Sequence, residues 1–250
     1  MEKLYKDLCY LCETNDGFYF KDITIDENVY RVFSYRIASY NDFLNPGALE
    51  CRGHTFFVDE KGNYIDIVSL PMQKFFNLYE NPFTMDINMS SVVKVMDKLD
   101  GSLISTVKTN DRNLLLKSKT SFNSEQVKIA NEYLHYNPSF RDELKNYSNN
   151  NFTVNMELVS PNNRIVVPYE KTELKVLNVR YNYTGEYIEK HDLIGGYEIS
   201  DRWVEYLSVS PEHLLRMQET YSGIEGWVVE TDDGNLVKIK TDWYKNLHKI

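Results

Sequence analysis

A lysine two residues ahead of an aspartate and a glycine, Lys98-Leu99-Asp100-Gly101-Ser102-Leu103, is the stretch of this 250-residue chain best suited to bond-making chemistry. Lys98 closes an apolar, β-rich run, and Asp100-Gly101 supplies a tight turn into the next one. A lysine amine becomes a nitrogen nucleophile once it loses its proton, and a partly dry pocket holding other cations moves its pKa in that direction. Taken alone, the tetrapeptide fits an ordinary surface turn with a solvated lysine equally well. Two lysine pairs change its company. Lys117 and Lys119 stand two apart in a strand pattern and so project from one face, and Lys238 and Lys240 repeat the arrangement. The apolar Leu116, Val237 and Ile239 mark the opposite face as the buried one. Each pair by itself fits a solvated strand face. Together, ammonium pairs on neighbouring strand faces would bind a triphosphate and lower the pKa of a third lysine.

Carboxylates complete the set. Glu157 sits in the apolar run 152–159, where an unpaired charge is costly, and Glu225 opens a strand as Ile224-Glu225-Gly226-Trp227. A structural salt bridge accounts for either. Alternatively, Asp100, Glu157 and Glu225 gather around ribose hydroxyls or, through waters, around a hydrated divalent ion such as Mg2+. The three cysteines, Cys9, Cys12 and Cys51, are an odd number without a secretory signal, which points to reduced thiols. Cys9-x-x-Cys12 and Cys51-x-x-His54 together suggest a zinc site. The long gap between the pairs argues against it, and Cys9 and Cys12 fit an amphipathic first helix with Leu4, Leu8 and Leu11.

The composition is that of a folded chain, with 42% apolar and 26% charged residues, which excludes collagen, coiled coil and wholesale disorder. No apolar run approaches the ~18 residues of a membrane span, and the amino terminus lacks the apolar segment of a signal peptide, so a cytosolic protein is expected. The net charge of −9 is unevenly spread. Residues 1–90 hold 8 basic and 14 acidic side chains, and residues 131–235 hold 9 and 18. Residues 91–130 hold 7 and 4, and residues 236–250 hold 4 and 1, so the basic excess coincides with the lysine pairs. A concentrated positive site on an acidic body suits a small, highly charged ligand better than a long duplex.

The elements that must position these residues are mostly strands. Alternation predicts them at 29–35, 64–70 paired with 55–58, 92–98, 102–108, 113–119, 152–159, 164–168, 174–181, 224–231 and 235–241. The last two form a hairpin over Asp232-Asp233-Gly234. Helices are expected at 124–135 and after the first-turn prolines Pro138 and Pro211, the second capped by Ser210. This pattern predicts an α+β class, and neither phosphate-loop glycine motif is present. No repeat or linker divides the chain, so one domain over 1–250 is expected.

Lys-x-Asp-Gly, a downstream strand glutamate, Glu-Gly and a terminal Lys-x-Lys, in this order, resemble the motifs of the covalent nucleotidyltransferases, which include polynucleotide ligases and mRNA capping enzymes. The chain is most similar to the RNA ligase 1 family of T-even bacteriophages. FSYRIASY (33–40), LECRG (49–53), PMQKFFNLYENPFTM (71–85), KLDGSLIST (98–106), KSK (117–119), NRIVV (163–167), NVRYNYTGEYI (178–188) and KIKTDWYKNLH (238–248) carry the likeness nearly end to end.

The resemblance implies the ligase-type nucleotidyltransferase (adenylation) fold, antiparallel sheets flanked by helices around an ATP pocket. It implies an ATP-dependent RNA ligase, with Mg2+ or Mn2+, that joins 5′-phosphate and 3′-hydroxyl ends of single-stranded RNA. By it, Lys98 is the nucleophile that becomes lysyl-AMP. Arg52 contacts phosphate, Lys74 and Phe76 line the nucleotide pocket, and Gly101 lets the backbone approach the nucleotide. Lys119, Lys238 and Lys240 match phosphate-binding lysines, Lys117 stands with Lys119 in the KSK match as a cofactor-binding candidate, and Tyr35 and Tyr244 match pocket tyrosines. Glu157 and Glu225 match the family's motif glutamates, with Asp100 beside them. A DNA ligase or capping-type guanylyltransferase shares the first step, and an RNA-binding module without turnover is the non-enzymatic alternative. The phage family carries a further helical domain, associated with tRNA, after the last motif. This chain stops ten residues past Lys240, so that domain is expected to be absent. RNA ends, cleaved tRNA among the candidates, are the expected partners of a monomer in the cytosol, the host's if the source is viral.

Overall fold

The computed structural model describes residues 1–248; Lys249 and Ile250, at the end of the basic terminal segment, lie outside the described residues. The alternating runs fold as strands that, with helices among them, give the α+β class. The chain divides into two compact units, each assembled from three separate stretches. The first comprises Met1–Lys74, Leu103–Leu158 and Leu174–Trp203; the second comprises Phe75–Ser102, Val159–Glu173 and Val204–Ile250.

In the first unit, strands β1 (Phe18–Ile25), β2 (Asn28–Tyr35), β3 (Thr55–Val58) and β4 (Tyr64–Ser69) form an antiparallel sheet in sequence order. Helix α1 (Glu2–Thr14) lays Tyr5, Leu8 and Leu11 into the core, the packed first helix that its leucine spacing predicts. Strand β1 escapes the sequence pattern because Phe18 is its one fully buried residue and charges interrupt the rest. The numbering of the strands runs on through the second unit. The first unit's other sheet draws on β7 (Ser102–Lys108), β8 (Leu114–Lys117), β9 (Phe152–Val159), β10 (Glu173–Tyr181) and β11 (Tyr187–Ile188), in the order β11-β10-β9-β7-β8. Helix α3 (Glu125–His135) is capped by the Ser124 hydroxyl, which accepts from the Val127 N–H, and α4 (Pro138–Asn149) begins on its proline.

In the second unit the sheet runs β5 (Phe76–Asn77), β13 (Leu236–Lys240), β12 (Gly226–Thr231), β6 (Val92–Lys98). Pairings are antiparallel except for the parallel β5–β13 pair. One face packs Val95, Trp227, Val229, Val237 and Ile239 against Leu214 and Met217 of α6 (Pro211–Thr220). Ser210 caps α6 through the His213 N–H, as predicted. Helix α7 (Asp242–His248) was not expected from the sequence.

Two sequence expectations need correction. Residues 164–168 are not a strand, because the N–H groups of Val166 and Val167 donate to the Asp100 carboxylate instead of to a neighbouring strand. The strand expected at 113–119 stops at Lys117, where the Ser118 N–H turns to the Ser121 carbonyl. Lys119 therefore lies beyond it, and the two lysines do not share a solvated strand face. The runs flanking Asp100-Gly101 fold as β6, which bonds to β12, and β7, which bonds to β8, in different sheets. Among the described residues no helix is long and apolar enough to cross a membrane.

Candidate active site

The first unit gathers cations around one tyrosine. The ammonium groups of Lys119 and Lys74 stand 4.2 and 5.5 Å from the Tyr35 ring centroid. Burial alone would raise the Tyr35 hydroxyl's pKa, but Lys74, Lys119 and Arg52 outweigh it and hold the phenol below its usual value. Burial, with Arg52 and Lys74, lowers the Lys119 ammonium against the pull of Tyr35. Arg52 is likewise lowered by burial, opposed by Tyr35, Glu157 and Tyr187. One of its guanidinium nitrogens, Nη1, is buried without a hydrogen-bond partner in the protein. A buried donor of this kind is costly unless an acceptor arrives, and an anion is the acceptor that a guanidinium matches. Glu157 reaches this cluster electrostatically through Arg52.

Lys117 differs from its neighbours. Its side chain is fully buried, and its ammonium donates to the carbonyls of Ser118 and Lys119 at 3.2 and 3.0 Å. Burial, reinforced by Arg52, Lys21 and Lys119, pulls its pKa down to about 7. The lysine with a strongly lowered pKa is thus Lys117, whose nitrogen is held by backbone. A Cβ at Gly53 would stand 2.5 Å from the Lys119 carbonyl oxygen and 3.0 Å from the Lys117 ammonium, so the turn after Arg52 requires a residue without a side chain.

Beneath Arg52 lies a network that sequence reasoning did not assign. Arg180 bonds both Glu50 carboxylate oxygens, at 2.9 and 3.0 Å, and the Pro71 carbonyl at 2.8 Å. The buried His54 ring pairs with the same carboxylate. Burial opposes ionisation of Glu50, but His54 and Arg180 outweigh it and hold the carboxyl far below its usual range. The signal was a charged residue in a strand whose neighbours are buried, Val179-Arg180, and it could be read only as a cost without its partner.

The second unit carries the other half of the inventory. Gly226 pairs with Lys98 on one side and Lys240 on the other, so the three lie in one row across the sheet, with Lys238 two rows further on, opposite Val228. Gly226 has φ +153°, and a Cβ there would meet the Ile239 carbonyl oxygen at 2.1 Å. Preceding it, the buried Glu225 places a carboxylate oxygen 3.2 Å from the Lys98 nitrogen. Burial raises the Glu225 pKa, and Lys98 and Lys240 oppose that shift. Lys240 lies 5.9 Å from the Tyr244 ring centroid, and Lys238 lies 4.8 Å from that of Phe75. Phe76 is buried and stacks on Phe83 with centroids 5.1 Å apart.

Asp100 is fully engaged. Its carboxylate accepts from the Tyr244 hydroxyl at 2.7 Å and from the Val166 and Val167 N–H groups at 2.8 and 2.7 Å. Its own N–H donates to the Tyr169 hydroxyl at 2.9 Å. Gly101 does not adopt a left-handed backbone. Among the described residues no three His, Cys, Asp or Glu side chains are grouped to hold a metal ion directly.

A family model described as RNA ligase matches residues 50–244. A protein of Thermovibrio ammonificans that carries a provisional RNA ligase name is 30% identical over 234 residues, covering 90% of this chain and 59% of that protein. Among solved structures, an archaeal ATP-dependent RNA ligase superposes with a TM-score of 0.66 at 11% identity, covering 96% of this chain and 62% of that one. A Naegleria gruberi RNA ligase mutant with ATP and Mn gives a TM-score of 0.55 at 16% identity, covering 73% of this chain and 60% of that one. The chain thus spans about three fifths of the length of these relatives. Its fold is that of the ligase-type nucleotidyltransferases. The family match, over most of the chain, is narrower: the protein belongs to the RNA ligase family, of the RNA ligase 1 type that its motifs resemble.

Proposed function

We propose that this protein is an ATP-dependent RNA ligase, residues 1–250 acting as one adenylation domain on single-stranded RNA ends. The observation that carries the proposal is the row Lys98–Gly226–Lys240 with Glu225 at 3.2 Å from the Lys98 nitrogen. In the first step the Lys98 nitrogen attacks the α-phosphorus of ATP. A P–N bond forms, the P–O bond to pyrophosphate breaks, and the lysine gives up a proton. Glu225, its pKa raised by burial and its oxygen in contact, is the group positioned to receive that proton. Lys238 and Lys240 stabilise charge on the phosphate oxygens and the departing pyrophosphate. The AMP then passes to an RNA 5′-phosphate, and a 3′-hydroxyl displaces it to seal the strand.

The first unit supports the same reading with its anion-ready donors: Arg52, whose Nη1 is unpartnered, and Lys74 and Lys119 beside Tyr35. These donors fit a polyphosphate. The divalent ion, Mg2+ or Mn2+, is expected to arrive as part of the ATP complex rather than in a protein cage. The reading takes the protein as a cytosolic monomer acting on broken RNA, cleaved tRNA included; the free cysteines support the cytosolic part alone.

The test is incubation with Mg2+ and ATP labelled at the α-phosphate. Label remains on the denatured protein and is absent from Lys98→Ala. Label retained by Lys98→Ala overturns the assignment. GTP in place of ATP, and nicked duplex in place of RNA, are predicted to be poor substrates; preference for either would favour a capping enzyme or a DNA ligase.

A further inference from the structure

The turn that leaves β5 holds Tyr79 in a conformation that bulky side chains disfavour. Its φ is +64°, in the left-handed region, and Tyr79 is the one aromatic residue there among the described residues. The residue is 55% exposed, whereas Leu78 before it and Ile87 after it pack against the core of the second unit. A glycine or an asparagine would make the same turn with less strain and without leaving an aromatic ring in water.

Polar side chains on either side hold the strain in place. The Glu80 carboxylate accepts from the Asn77 side-chain amide at 2.7 Å and from the Asn77 backbone N–H at 3.2 Å. The buried Thr84 hydroxyl donates to the Asn77 carbonyl at 2.6 Å, and the Thr84 carbonyl accepts from the Tyr79 N–H at 3.3 Å. Asn81 then caps the short helix α2 (Pro82–Met85) through the Phe83 N–H at 2.9 Å. Backbone strain enforced by surrounding bonds is characteristic of positions that meet a ligand.

The turn adjoins a strand that carries phosphate-binding lysines in the proposed mechanism. Asn77 of β5 pairs with Lys238 of β13, and the Leu78 N–H donates to the Lys238 carbonyl at 2.8 Å. Tyr79 is the next residue. An exposed ring beside a line of cations is what a single-stranded nucleic acid requires, because its bases stack on the ring while its phosphates follow the charge. We propose that the Tyr79 ring is a stacking platform for a nucleobase of the single-stranded RNA substrate, whose backbone passes Lys238. Strands β5 and β6 are the two edges of their sheet, three strand spacings or about 14 Å apart. Tyr79 therefore stands away from Lys98 and meets a base set back from the reacting end. Every base has an aromatic face, so the platform accepts any of the four.

That the polymer is RNA rests on the ligase reading, so RNA binding and lysyl-AMP formation are measured separately. A fluorescently labelled single-stranded oligoribonucleotide is titrated with the parent, Tyr79→Asn and Tyr79→Trp, without ATP. Tyr79→Asn should bind about fivefold or more weakly. Its melting temperature should equal or exceed the parent's, since asparagine tolerates the left-handed backbone. Tyr79→Trp should bind at least as tightly as the parent, with tryptophan fluorescence quenched by RNA beyond the parent's own change. On an abasic oligomer of the same length, the difference between parent and Tyr79→Asn should vanish. Equal RNA affinity of parent and Tyr79→Asn, an equal loss on the abasic oligomer, a lower melting temperature for Tyr79→Asn, or a parent that does not bind RNA would each overturn the proposal. Absence of lysyl-AMP from a parent that shows the Tyr79-dependent binding would instead count against the ligase reading and leave the stacking platform standing.

Discussion

A lysine amine needs a proton acceptor before it can attack phosphorus, and the proposed mechanism gives that part to Glu225, whose carboxylate lies 3.2 Å from the Lys98 nitrogen. Glu225→Gln is predicted to keep the fold and lose most of its adenylylation at neutral pH, with activity returning as pH rises and solvent takes the proton. A rate for the variant that is flat with pH would remove Glu225 from the role. Lys117 makes a different prediction. Its folded pKa, about 7, lies below the usual 10.5, so between these values the unfolded chain binds more protons than the folded one. Stability therefore gains from this group as pH rises through that window. The difference in urea midpoint between the parent and Lys117→Met should grow from pH 7 to pH 10 in the parent's favour; a constant difference would show that Lys117 does not titrate there. At this scale the grouping was legible: type and spacing single out Lys98, Glu225, Lys238 and Lys240, and the sheet sets Lys98 and Lys240 in one row with Glu225 against Lys98. The burial of Lys117 was not, because alternation reports which side of a strand a residue faces and is silent about a turn that folds over it.

Positioning is done by partners distant in sequence, and that is where local patterns stop. Asp100 is fixed by donors 66, 67 and 144 residues away, and Arg180 meets Glu50 across 130 residues. No periodicity encodes such pairs. The strand at 164–168 was misread for this reason, since its N–H groups serve a carboxylate and not a ladder. Tyr244→Phe leaves one oxygen of the buried Asp100 short of a donor and should cost about 1–3 kcal/mol of stability, read from denaturant unfolding. A loss below about 0.5 kcal/mol would mean that the bond is dispensable. At Gly226 the constraint is steric. Adding a methyl group 2.1 Å from a carbonyl oxygen, at φ +153°, should destabilise Gly226→Ala by about 1–3 kcal/mol and shift Lys98 relative to Lys240. Parent-like labelling and stability in that variant would show that the row is not held by the glycine.

Over the whole molecule the charge is −9, so the RNA binding proposed for it must come from a small local excess of cations. With roughly three to five phosphates neutralised, the log–log dependence of RNA affinity on salt should have a slope of about −2 to −4. A slope twice as steep would indicate a long basic footprint that this composition does not contain. Class and fold were legible at this scale, because α+β patterning and the order of the motifs survive whatever the loops do. The division into two units was not, since each is assembled from stretches far apart in sequence and no composition shift marks their boundaries. The central claim is a covalent bond between one lysine and AMP, and peptide mass mapping after incubation with Mg2+ and ATP tests it most directly. AMP on the peptide that holds Lys98, gone when pyrophosphate is added in excess, is the predicted result. AMP on another lysine, or on none, would contradict it.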